Sequence, residues 1–116
     1  MTTFRVTDPA AAARAAGQLA TAALALRGSI EASTQALRDL EPEAPNPAHA
    51  AEALARWRRR QAQIARRENE LMLVLHECGA SERSLATLMH IGRPAVTARL
   101  QSARDERESA TWAAQP

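Results

Sequence analysis

The chain contains no lysine and no tyrosine, and it has one phenylalanine, two tryptophans, one cysteine and four glycines. Each shortage excludes something. The lone Cys78 cannot close an intramolecular disulfide, so no disulfide framework holds the fold. No stretch approaches the ~18 uninterrupted apolar residues of a membrane span. The opening residues MTTFRVTDP contain no apolar segment able to act as a secretion signal, and a reducing bacterial cytoplasm is the expected compartment. Alternating runs of β-branched residues are missing, and a core so poor in aromatics must be built from alanine-rich and aliphatic helix faces. The expected class is all-α. There is no glycine-rich phosphate loop, no nucleophile with a visible base and no acidic pair tied to a pocket, so neither an enzyme nor a cofactor is expected. The exclusive use of arginine as the basic residue reads first as the mark of a GC-rich genome.

What is present is helical periodicity. Residues 2–7 read as a short extended lead-in, and Asp8-Pro9 is a strong helix start, with Asp8 as N-cap and Pro9 in the first helical position. A 4-3 spacing follows without a phase break: Ala12, Ala16, Leu19, Ala23, Leu26, Ile30, Ser33, Leu37 and Leu40. Gly17 and Gly28 each cost about 1 kcal/mol relative to alanine. The unbroken phase argues for one helix, with Gly28-Ser29 as the place for any bend. Glu41 to Pro47 carries three prolines and is the expected linker. A second long helix is expected from near Ala48 to about Cys78, with Gly79 as its cap and a seam of Leu54, Trp57, Gln61, Ile64, Glu68, Leu71, Leu75 and Cys78. At 1.5 Å per residue each long helix spans roughly 45–50 Å. Two helices of similar length joined by a short loop predict an antiparallel hairpin.

Such a hairpin leaves an apolar edge open to water, so a homodimer is expected, closed by Leu19, Leu26, Ile30, Leu37, Leu54, Trp57 and Ile64. Gln61 and Glu68 either choose the register of that dimer or sit at the solvent edge of the seam. The chain thus divides into a dimerisation arm with its linker, 1–47, and a long basic helix with a DNA-binding motif, 48–116.

That motif is the stretch SLATLMHIGRPAVTARLQSAR, Ser84 to Arg104. Leu85, Ala86 and Met89 mark the buried stripe of a short helix, Ile91 occupies a turn, and Val96 and Leu100 face inward from a second helix. Gly92 can cap that helix and Pro94 lies in its first turn. The spacing is that of a helix-turn-helix. Arg93, Thr97, Ala98 and Gln101 point outward from the second helix, toward the base edges of a major groove. Double-stranded DNA is the expected partner.

Leu85-Ala86, Met89, Ile91, Gly92, Val96, Arg99-Leu100 and Ala103-Arg104, preceded by a helix ending at Gly79, resemble region 4 of extracytoplasmic-function sigma factors and the stand-alone bacterial regulators that share it. The resemblance covers about a third of the chain, roughly Arg66 to Arg107. It implies a promoter- or operator-reading protein of the bacterial nucleoid, most simply a repressor. His90 stands where that family usually has a glycine, so a strained or reshaped turn is expected. Nothing upstream resembles the larger sigma domain, so a complete sigma factor is not implied. Two further functions fit the same residues: a module that binds RNA polymerase or a sigma factor, and a non-specific nucleoid-associated protein.

Charge is distributed to match. Residues 1–47 hold four arginines against five acids, and residues 48–116 hold eleven against eight. Within RWRRRQAQIARR, Arg56, Arg59, Arg60, Arg66 and Arg67 share one helix face and Arg58 strays. Arg59, Arg60, Arg66 and Arg67 read as phosphate contacts, or as a solvated face paired to Glu31, Asp39 or Glu52. Arg83, Arg99 and Arg104 are also candidate phosphate contacts, with pairing of Arg99 to Glu70 or Glu77 as its alternative. His76, Cys78 and His90 lack metal-ligand spacing, and no metal site is expected. Trp112 is expected to fold the end of the chain back onto the apolar edge near Trp57 or the motif.

Overall fold

The computed structural model describes residues 3–40 and 46–114, and these build five helices. They are α1 (Pro9–Ala16), α2 (Leu19–Arg38), α3 (Pro47–Glu77), α4 (Glu82–Met89) and α5 (Arg93–Ala113). The fold is all-α. Asp8 caps α1 by accepting from the Ala11 N–H at 3.2 Å, and Pro9 follows it. At the start of α3 the Asn46 side chain accepts from the Ala48 N–H at 2.8 Å, and Pro47 opens the helix. Pro47 therefore belongs to the helix and not to the linker, because a proline at the first position forfeits only an N–H that has no helical partner. The remainder of the expected linker, 41–45, lies outside the described residues.

The expected single N-terminal helix is broken, and at Gly17-Gln18 rather than at Gly28. Gly17 N–H still reaches Ala13 O at 3.2 Å and Gln18 N–H turns back to Ala15 O at 2.9 Å, a tightened turn that ends α1 and sets it against α3. Gly28 lies inside α2 with no atom within 4 Å of where a side chain would begin. Nothing there pulls the chain off its axis.

Helices α2 and α3 form the antiparallel hairpin. Its interior is made of small residues: Ala15, Ala22, Ser29 and Ala36 recur every seven positions and are buried with Ser33, and Ala53 of α3 is fully buried. The Ser33 hydroxyl is satisfied by the Ile30 carbonyl at 2.7 Å. The large members of the expected seam lie about 70° further round α2, at ~100° per residue. Ile30 stays 45 % exposed and Leu37 42 %, with Leu54 of α3 at 56 %. Leu19, Leu26, Trp57 and Ile64 are half-buried.

The large side chains are gathered at the other end of the molecule. Met72 and Leu73 of α3, Leu85 of α4, and Val96, Leu100 and Ala103 of α5 form one buried cluster with Ala80, flanked by Leu75, Ala86, Met89 and Ile91. Helix α3 is thus shared, meeting α2 along the hairpin and α4 and α5 in this cluster. The molecule is accordingly long, 58 × 42 × 24 Å, with a radius of gyration of 17.6 Å against about 13 Å for a compact domain of this length.

The joint between α3 and α4 is closed by a Schellman turn. Gly79 N–H bonds to His76 O at 3.0 Å and Ala80 N–H to Leu75 O at 3.1 Å, with Gly79 at φ +119. The extended lead-in docks here. Arg5 N–H donates to Gly79 O at 3.0 Å, and Phe4 forms an isolated antiparallel bridge with Ala80. A Cβ on residue 79 would lie 2.9 Å from the Arg5 carbonyl oxygen. Gly79→Ala is therefore expected to cost about 1–3 kcal/mol through backbone strain and displacement of the lead-in, read as a lower midpoint in urea unfolding. An unchanged midpoint would show that the lead-in is not held at this joint.

Candidate nucleic-acid interface

Two short-range caps set α4 and α5. The Ser81 hydroxyl accepts from the Ser84 N–H at 3.0 Å and starts α4. Gly92, extended at φ −71 and ψ 153, precedes α5 with Pro94 in the first turn. Between them His90 adopts the left-handed conformation, φ 56 and ψ 41, and its N–H returns to Ala86 O. The Ile91 N–H reaches the same carbonyl at 3.2 Å. This is the backbone a glycine would supply. Histidine is among the residues enriched several-fold in that region, so the turn keeps its shape and carries the strain locally.

Leu85, Val96 and Leu100 are completely buried between α4, α5 and α3. Their burial leaves Arg93, Thr97, Ala98 and Gln101 exposed on α5. Arg93 comes only to 4.0 Å of Glu82 and stays largely in solvent. The Thr97 hydroxyl donates to Arg93 O at 3.1 Å, and the Gln101 amide donates to Asp105 at 2.9 Å. That bond uses one of the two amide N–H groups of Gln101, and the other N–H and the Oε1 acceptor remain free for another polar partner.

Arg83 and Arg104 are exposed and have no ion-pair partner among the described residues. Arg99 is different. It is half-buried, with Nε donating to Asn69 Oδ1 at 2.6 Å and its terminal nitrogen bonded to Glu68. A group committed to tying α5 to α3 is not a free phosphate contact. Its expected carboxylate partners are taken by others: Glu70 faces Arg67 at 3.2 Å, and Glu77 holds Arg107 at 2.8 Å. That bond to Glu77 raises the Arg107 pKa above its ordinary value. Glu68, one of the polar seam residues, is spent on Arg99, and Gln61 donates to the Trp57 carbonyl at 3.2 Å within its own helix.

The arginine face of α3 is split. Arg66 lies 3.7 Å from Glu106 and Arg67 beside Glu70, whereas Arg59 and Arg60 gather with Arg56 and Arg66 around a hollow of about 500 Å³ between α2 and α3. Of the acids expected to neutralise this face, Glu31 pairs with Arg27 at 3.2 Å and Asp39 accepts from Gln35 at 2.8 Å. Glu52 forms no ion pair among the described residues. His76 is bonded through Nδ1 to Ala80 O at 2.7 Å, and burial followed by the charge of Glu77 pushes the Cys78 thiol up, which keeps it protonated. Trp112 does not fold back. It is 77 % exposed on the last turns of α5, which run past the buried cluster. No described helix is long and apolar enough to cross a membrane.

Asn69, Glu82 and the docked Phe4-Arg5 segment escape sequence reasoning, since each acts on residues distant in the chain or through the backbone. No family model, curated protein or solved structure matches this chain.

Arg99→Gln is expected to leave Glu68 and Asn69 without their partner and to cost about 1–2 kcal/mol in urea unfolding at low salt, with helicity retained. A stability equal to wild type, combined with weaker DNA binding, would return Arg99 to the phosphate contacts.

Proposed function

We propose that the chain is a dimeric, sequence-specific DNA-binding transcriptional regulator of the bacterial nucleoid, most simply a repressor that occupies its operator. The observation that carries this reading is the α4–α5 pair. A short capped helix and a tight left-handed turn are followed by a helix whose first turns are buried on one side at Val96 and Leu100 and exposed on the other at Arg93, Thr97, Ala98 and Gln101. That geometry suits a recognition helix lying in the major groove, with Arg93 and Gln101 able to hydrogen-bond to base edges. Arg83 and Arg104 then hold the backbone on either side without reading sequence. The resemblance to sigma region 4 fits this assignment.

The dimer is supported by surface. The chain exposes 8325 Å², where a compact monomer of 12.5 kDa exposes about 6,200 Å². Helix α2 also carries two adjacent seven-residue stripes, one of small residues covered by α3 and one of Leu19, Leu26, Ile30 and Leu37 that α3 leaves uncovered or half-covered. Two adjacent seams belong to a helix with two neighbours, as in a four-helix bundle. A second hairpin supplies the missing neighbour.

Selection of bound sites from a random DNA library is expected to return a motif with two related half-sites, and alanine at Arg93 or Gln101 is expected to relax the preference by about 1–3 kcal/mol per lost base contact. Failure to enrich any motif, with binding competed equally by unrelated DNA, would favour a non-specific nucleoid protein. Capture of RNA polymerase that is insensitive to salt, without DNA binding, would favour the interaction module, since phosphate contacts weaken steeply with ionic strength.

Ile30→Glu and Leu37→Glu place charges on side chains that are already in contact with solvent in the single chain. Sedimentation is expected to show twice the chain mass for wild type, and a folded monomer of unchanged helicity for the double variant. A wild-type monomer would overturn the dimer.

A further inference from the structure

We propose that the hollow between α2 and α3 is a binding site for a free oligophosphate anion, held by Arg56, Arg59, Arg60 and Arg66. The four guanidinium-bearing residues come from one helix and span about 15 Å of its axis at 1.5 Å per residue. Across from them stand Ala32, Gln35 and Ala36 of α2 and Asp39, the residue that caps its C-terminus. The two alanines leave the space open, about 500 Å³, and Gln35 and Gln63 add amides to its wall.

The charge balance is one-sided. Among the described residues Asp39 is the only carboxylate lining the hollow, and it accepts from the Gln35 amide at 2.8 Å rather than from an arginine. Arg56, Arg59 and Arg60 form no ion pair among the described residues, and Arg66 has only the loose contact to Glu106 at 3.7 Å, with both side chains 56 % exposed. Arg56 stands three and four residues from Arg59 and Arg60, the spacing at which like charges on a helix repel. An anion placed among them removes that repulsion.

The anion that suits planar guanidinium forks with several donors each is phosphate, which accepts bidentate hydrogen bonds from arginine. Several arginines in a row suit several phosphates in a row. A concave site on two helices surrounds a compact ligand of this kind, whereas a duplex edge meets a protein side-on. None of these arginines lies on α4 or α5, so the proposal stands whether or not those helices read DNA.

Isothermal titration of the full chain with inorganic tripolyphosphate, at moderate salt, tests it. Saturable binding is expected, weakened at least about tenfold in Arg59→Gln/Arg60→Gln by the loss of charge-assisted hydrogen bonds. Arg5→Gln/Arg14→Gln removes the same charge elsewhere and is expected to leave the affinity unchanged. A duplex of random sequence forms the second arm. If Arg59→Gln/Arg60→Gln weakens only the duplex and tripolyphosphate does not bind, the phosphates belong to a nucleic-acid backbone and the free-anion site is overturned. Equal losses in both double variants reduce the effect to net charge and overturn it as well. Helicity measured in parallel establishes that each variant is folded.

Discussion

Everything in this molecule hangs on the packing of Leu85, Val96 and Leu100 against Met72 and Leu73 at the C-terminal half of α3. Burial of a leucine or valine side chain contributes about 1.5–3 kcal/mol, and this cluster collects most of the large side chains that the fold withdraws from water. The hairpin arm buries alanine and serine instead, which bring little apolar area with them. Helix α3 is the strut common to both. Its first half carries α2, and its second half is the floor on which the two short helices stand. Loss of the cluster would leave the hairpin with an interior of small residues and a flank of exposed leucines and isoleucine, a weak base for a monomer and a plausible one only where a second hairpin covers that flank.

The cluster fixes distance, and two left-handed residues fix direction. Gly79 ends α3 and turns the chain into α4; His90 ends α4 and turns it into α5. Both use the same device, a backward hydrogen bond from a residue of positive φ, but at different cost. At residue 79 the lead-in approaches so closely that only glycine fits, while residue 90 faces solvent and tolerates a side chain. The bond network of Arg99 with Glu68 and Asn69 then holds α5 in place on α3. A surface presented for recognition benefits from such support, since side chains on a helix are positioned only as well as the helix itself.

Local signals were legible in the sequence, and pairings between distant residues were not. Asp8-Pro9 and Gly92 with Pro94 declared their helix starts because a cap acts within one turn. Leu85, Val96 and Leu100 declared their burial because a strong apolar contrast at helical spacing leaves little choice of face. The hairpin was legible as two helices but not in its interior face. Alanine and leucine both satisfy an apolar pattern, and periodicity alone does not say that close helix approach selects the smaller stripe. The break at Gly17 was missed in favour of Gly28, since both are glycines within one unbroken phase and only contact with α3 distinguishes them. For Arg99 the sequence offers a phosphate contact or pairing to Glu70 or Glu77 but not Glu68 and Asn69, because its partners lie about thirty residues away, where no spacing rule reaches. Trp112 was drawn inward by its size, but α5 extends beyond anything for it to cover.

The same distinction applies to charge. A count over the second half of the chain gives a modest positive excess, yet the arginines fall into two groups once their partners are known. The half-buried Arg99 is tied to both Glu68 and Asn69, whereas Arg66, Arg67, Arg93 and Arg107 have carboxylates within reach in exposed pairs, which contribute little to stability, about 0–1 kcal/mol each. Arg56, Arg59 and Arg60 in the hollow, and Arg83 and Arg104 beside the motif, have none among the described residues. Unpaired cations repel one another, so they add nothing to the fold that keeps them together. Helix α3 places three of them on one face and the α4–α5 unit places two more around its exposed helix. The positive field is thus concentrated on the solvent faces of α3 and of the α4–α5 unit, and it is there that an anionic partner gains most from binding.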